Sequence, residues 1–220
     1  MLEYNIQEMN ERTFSFIYGC ALHDAILQKA FDGKKDWIEK VTSAQEPVKE
    51  YINAVLAGKC NDKNIHEEVF LAASKKVCDI INEKKPKDVE DRFSFGNAQK
   101  LLNITVKHIY AHTYSFNFLN QTNIRENFSF CHCPMDSIML SHVWKKYKEK
   151  FNILERRNKL GERDDFLKSW GSEDFELING ERVLPKRYVQ YQEAIERLKG
   201  VEIFSIEYDY ITWKNNQVQE

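Results

Sequence analysis

Apolar residues recur at helical spacing along most of this chain, and little interrupts them: 220 residues include only 8 Gly and 4 Pro. That is too few turn formers for a sandwich or barrel of many short strands. Thr13 to Phe31 carries Phe16, Ile17, Cys20, Ala21, Ala25, Ile26 and Ala30, with Gly33 as its stop. Val48 to Leu56 repeats the stripe through Val48, Ile52, Val55 and Leu56 before Gly58. Ile65 to Ile81 does so again with Val69, Phe70, Ala73, Val77 and Ile80, and the polar run Asn82 to Asp88, broken by Pro86, ends it. The pattern predicts a mainly α, compact multi-helix domain over residues 1–220. A division into two lobes is compatible with it, one of residues 1–85 plus the C-terminal segment and one of residues 90–165.

The C-terminal third is more mixed. A helix is expected from Pro185 to Leu198, ahead of Gly200. Val201 to Tyr208 alternates like a strand, and Phe175-Glu176-Leu177-Ile178 is the run that would pair with it, giving one short two-stranded β element. Trp170, Tyr188, Tyr191 and Trp213 are expected to anchor this segment to the core.

No apolar run reaches the roughly 20 residues of a spanning helix. The first residues, MLEYNIQEMNERTF, carry acids where an export signal needs basic and then apolar residues. Five cysteines, an odd number without framework spacing, suit a reducing compartment, so the expectation is a cytoplasmic protein that does not enter a membrane. The formal net charge of -2 excludes a uniformly basic coat for nucleic acid but not a local stripe. Such a stripe runs from Val143 to Arg163, where eight Lys/Arg face three Glu. Its alternative reading is the solvated side of a helix whose other side, Val143, Trp144 and Phe151, packs inward.

One region points toward chemistry. A helix from about Asn97 to Tyr114 follows Phe93-Ser94-Phe95-Gly96 and places Lys100, Asn103, Lys107, Tyr110 and Tyr114 on one face, with Leu102, Val106 and Ile109 on another. Ser115 to Cys133 then reads as an aromatic, Asn-rich loop anchored by Phe116, Phe118, Phe128 and Phe130. Pro134-Met135-Asp136 opens the next helix with Asp136 as N-cap.

The segment QKLLNITVKHIY (Gln99 to Tyr110), followed by CPMDSIML (Cys133 to Leu140), resembles part of the helix-hairpin-helix DNA glycosylase superfamily. The closer likeness is to its archaeal 8-oxoguanine glycosylase branch. The resemblance implies that Lys100 is the nucleophile, Asp136 the assisting carboxylate and DNA the partner, with no cofactor. Such a Lys must be neutral to attack C1′ of the sugar, so its pKa has to fall from about 10.4 toward 7–8. Lys107 would add positive potential. An N-capping Asp held by backbone N–H groups would stay ionised and steady the cationic sugar. A base turned out of the duplex needs apolar walls, for which Trp144 and Tyr147 are candidates. Gly96, Gln99 and Asn103 complete the expected binding set. The usual Leu-Pro-Gly-x-Gly hairpin is absent; only Phe93 to Gly96 stands in its place.

Two other readings run alongside. Lys100 and Asp136 are, in the plainest one, a lysine on an exposed helical stripe and a simple cap within a helical binding module for an anionic ligand or a protein. In the other, Cys131 and Cys133 join His108 and His112 around a zinc ion, although paired CxxC spacings are missing. Cys20, Cys60 and Cys78 fall on helical faces and read as packing. P-loop, GxGxxG, GxSxG and HExxH patterns are all absent.

Overall fold

The structure, a computed structural model, describes residues 11–26, 36–39, 41–90, 92–115, 124–151 and 153–217. Its helices are α1 (Glu11–Ile26), α2 (Asp36–Glu39), α3 (Gln45–Leu56), α4 (Lys63–Glu83), α5 (Phe95–Ser115), α6 (Ser137–Lys150), α7 (Ile153–Leu160), α8 (Arg163–Phe166), α9 (Lys186–Lys199) and α10 (Ser205–Gln217). Strands β1 (Glu176–Ile178) and β2 (Glu181–Val183) form the one antiparallel sheet among the described residues. The protein is mainly α, as its apolar spacing predicts. None of the described helices is long and apolar enough to cross a membrane. The extension of the first helix to Phe31, its stop at Gly33, and Phe116, Phe118, Asn117, Asn120 and Asn123 of the aromatic loop lie outside the described residues.

Helix α5 is the hub. It packs along α1, beside α4, and against short turns at Trp170–Ser172 and Arg125–Phe128. From α1, Phe14, Ile17, Tyr18, Ala21, Leu22 and Ala25 bury a stripe. α3 contributes Val48, Tyr51, Ile52 and Val55, and α4 contributes Phe70, Val77 and Ile81 to the same cluster. On the far side α9 lies against α6, α7 and α10. One hydrophobic cluster runs from Phe14 to Ile206.

The helix starts follow local chemistry. Asp62 caps α4 by accepting hydrogen bonds from the amides of Asn64 (2.8 Å) and Ile65 (3.0 Å). Asp136 caps α6 by accepting from the Met139 amide at 2.8 Å, as the sequence predicts.

The C-terminal pairing differs from expectation. β1 pairs with its own neighbour: Glu176 opposes Val183, Leu177 opposes Arg182 and Ile178 opposes Glu181. The connecting Asn179 (φ 53°) and Gly180 (φ 84°) both take positive φ, as a two-residue Asn-Gly hairpin requires. The run Val201 to Tyr208 forms no strand; from Ser205 it belongs to α10. Glu207, three residues into the new helix, accepts the amide hydrogen bond of Phe204 at 2.8 Å, half of a capping box. That local signal overrides the alternation.

Candidate active site

Lys100 lies in the second turn of α5, and the approach to that helix is closed by its own hydrogen bonds. The Phe93 amide donates to Asn82 Oδ1 (2.8 Å), the Ser94 amide to Asn97 Oδ1 (3.1 Å), and the Gly96 amide to the Glu173 carbonyl (2.9 Å). Asn97 Nδ2 donates to the Ala25 carbonyl at the end of α1 (2.6 Å). Gly96 is needed for a close approach: a Cβ there would stand 1.7 Å from the Trp170 carbonyl oxygen. The expected role of Gly96 in binding substrate is corrected accordingly. It seats the Trp170 turn, and these amides are spent inside the protein rather than offered to a DNA phosphate.

That turn shapes the lysine's surroundings. Lys100 Nζ rests 4.6 Å from the centre of the Trp170 ring. Gln99, next in the chain, reaches the segment before α6: its Oε1 accepts from the Met135 amide (3.0 Å) and its Nε2 donates to the Met135 carbonyl (2.8 Å). Asp136 follows Met135, so one side chain of α5 brings the nucleophile candidate and the carboxylate candidate to the same place. Gln99 is fully buried and serves this junction.

Burial dominates the electrostatics of both groups. It pushes the Lys100 amine below its usual range, aided by the Lys107 charge and opposed by Asp136, Asp24 and Asp209. Burial raises the Asp136 carboxyl, only 7% exposed, against the opposing Met139 amide and the charges of Lys100 and Lys107. Both shift toward their neutral forms. For an attacking amine this is the required direction; for Asp136 it is opposite to the fully ionised cap expected from sequence.

The polar face of α5 is not a solvent stripe. Leu101 through Val106, Ile109 and Tyr110 are all buried, and Lys100 and Lys107 are half-buried. Asn103 donates through Nδ2 to Gln99 Oε1 (3.2 Å) and to the Tyr188 hydroxyl (2.9 Å). It is 0% exposed and belongs to a buried polar chain rather than a ligand surface. That chain continues from Tyr188 to His132 Nδ1 (3.0 Å), whose ring meets His66 edge-on at 4.6 Å, and His66 Nε2 contacts the Tyr51 hydroxyl (2.9 Å). Burial lowers His132 well below its usual range and brings His66 down to about 4, so both rings are neutral at pH 7.

Trp144 and Tyr147, the expected pocket walls, lie further along α6. They stand about 12 and 16 Å along α6 from Asp136. Trp144 packs on Phe166, while the Tyr147 hydroxyl accepts from Arg197 at 3.0 Å. The zinc arrangement does not assemble: Cys131 and Cys133 are buried, His108 is exposed, and among the described residues no three His, Cys, Asp or Glu gather at metal-binding distance. Within the basic stripe Lys146 pairs with Glu149, Arg157 with Glu162 and Lys159 with Glu193, while Glu155 pairs with Arg197 from outside it.

Sequence reading missed Asp209, Asp24 and the role of Trp170. Asp209 lies on α10 and is 1% exposed, in an ion pair with Lys107. No spacing rule links residues brought together only by packing. Set against known proteins, the chain matches no family model, no curated protein and no solved structure.

Proposed function

We propose that this protein is a DNA base-excision glycosylase with lyase activity, in which Lys100 is the nucleophile and Asp136 the assisting carboxylate. The observation that carries the reading is the half-buried Lys100 amine, resting on Trp170 and biased toward its neutral form beside Asp136. The neutral amine forms a bond to C1′ of the sugar as the bond from C1′ to the base breaks. The base leaves with the bonding pair and takes up a proton. Loss of the amine's proton with opening of the sugar ring leaves an imine. Asp136, in its ionised form, faces the positive charge that develops on the sugar. The resemblance of Gln99–Tyr110 and Cys133–Leu140 to the helix-hairpin-helix glycosylases supports the same assignment.

The test is borohydride trapping on a panel of lesion-bearing and abasic duplexes. A covalent protein–DNA adduct in the wild type, lost in Lys100→Gln at unchanged Tm, is the expected result. Absence of an adduct on every duplex, with no salt-dependent DNA binding, overturns the reading. One observation favours a second reading. The amides of Phe93, Ser94 and Gly96, which a hairpin would offer to phosphate, are bonded internally, which suits a non-enzymatic helical protein that binds an anionic ligand at Lys100 and Lys107.

A further inference from the structure

Helix α10 holds Lys107 of α5 in three ways, and its Glu207 also accepts from the Tyr110 hydroxyl one turn further along. The Asp209 carboxylate forms an ion pair with the Lys107 ammonium, and this carboxylate is almost wholly enclosed. The Tyr210 ring lies 4.7 Å from the same ammonium. The Tyr210 hydroxyl donates to the Lys107 backbone carbonyl at 2.8 Å. Lys107 is seven residues after Lys100, about two turns and 10 Å along the same face of the helix.

A lysine on a helix surface normally samples many rotamers, and its charge is spread and screened by water. This one is 17% exposed and tied at both its backbone and its tip. We propose that Asp209 and Tyr210 are positioning residues that hold Lys107 as a fixed cation on the Lys100 face and so set how readily Lys100 gives up its proton. The inference rests on the reading of Lys100 as the reactive amine and deepens it by adding the regulation of that amine from α10.

The neighbours of each group agree with a balance of this kind. Lys100 faces Asp136 at the start of α6, Asp24 on α1, Asp209 on α10, Lys107 on its own helix and the neutral Trp170 ring. Asp209 faces Lys107, Asp136 and Trp213, with the thiol of Cys133 and the phenols of Tyr191 and Tyr210 also within electrostatic range. Burial drives the Asp209 carboxyl upward and Lys107 opposes it. Asp209 therefore limits the reach of the Lys107 charge without abolishing it. Two carboxylates and two ammonium groups share one enclosed region, so a change in one is felt by the others.

The experiment follows the Lys100 amine directly and needs no turnover. The full chain is labelled competitively with acetic anhydride across pH 6 to 11, and modification of Lys100 is read by peptide mass spectrometry. In Asp209→Asn the direct pull of Asp209 on Lys100 is lost and the Lys107 charge is no longer offset, so the Lys100 midpoint is expected to fall by on the order of one pH unit. In Lys107→Met it is expected to rise, and Lys107→Met added to Asp209→Asn reverses part of the fall. Lys107→Arg, which keeps the charge, leaves the midpoint near the wild-type value. Midpoints unmoved in both Asp209→Asn and Lys107→Met overturn the proposal. Should Asp209→Asn fail to fold by circular dichroism, the contrast between Lys107→Met and Lys107→Arg decides alone: equal midpoints reject the proposal. Shifted labelling without any borohydride adduct keeps the positioning role and discards the lyase reading; an adduct with unmoved labelling does the reverse.

Discussion

Lys100 and Lys107 share a helix, a face and a half-buried setting, yet their partners differ in kind. Lys107 touches a carboxylate, while among the described residues Lys100 makes no salt bridge and rests on an indole ring. At Lys100 the indole face favours the ammonium, as do the nearby carboxylates, and it is burial that makes its proton easier to remove. The same residue type is thus ion-paired at one position and laid on an indole ring two turns away. What separates them is the element laid across each: α10 over Lys107, the Trp170 turn over Lys100.

The largest test of that contrast is stability. Lys107→Met strands the Asp209 carboxylate in the interior and is expected to cost about 3 to 5 kcal/mol, the usual consequence of removing one partner of a buried pair. Lys100→Met strands no such contact partner and should cost under about 1 kcal/mol. Urea denaturation of the two variants measures the difference, and equal losses would erase the distinction between them.

A middle-sized effect is expected at the Trp170 turn. In Gly96→Ala the new Cβ would meet the Trp170 carbonyl oxygen at 1.7 Å and its carbon at 2.8 Å, both backbone atoms, so the turn must move. The cost is on the order of 2 kcal/mol. Displacement of the indole from Lys100 should accompany it as a change in tryptophan fluorescence. A stable variant with unaltered emission would show that the turn is not held by this contact.

The smallest effect is a slope. Lys100 loses its proton more readily in the folded chain than in the unfolded one. Between its lowered pKa and about 10.4 the folded state therefore binds fewer protons, and stability from this group rises with pH. Lys100→Met should flatten that alkaline rise in Tm. An unchanged slope in the variant would assign the effect to another group.

How much of this was legible in the chain depends on range. The stripes of α3 and α4 and the Asp136 cap are local and stand where the residues place them, whereas in α1 Phe16 of the expected stripe is exposed and Phe14 and Tyr18 are buried instead. The alternation of Val201 to Tyr208 served two structures equally well, and Glu207 capping Phe204 decided between them. Asn179-Gly180 is itself a hairpin signal, and it pairs β1 with its immediate neighbour β2. At the site, Lys100 and Asp136 emerge from short motifs. Asp209 and Trp170 could not, because α10 and the Trp170 turn reach α5 only through tertiary packing. The α5 face that spacing marked as polar is enclosed by those same elements.

Gln99 has a mechanical consequence. By bonding both the amide and the carbonyl of Met135, it treats that residue as a strand would treat its partner. Asp136 is thereby carried by α5 as much as by the helix it begins. A tilt of α6 cannot draw the carboxylate from the amine without first breaking two bonds to the residue beside that amine. Gln99 thus ties the backbone that carries Asp136 to the turn of α5 that carries Lys100.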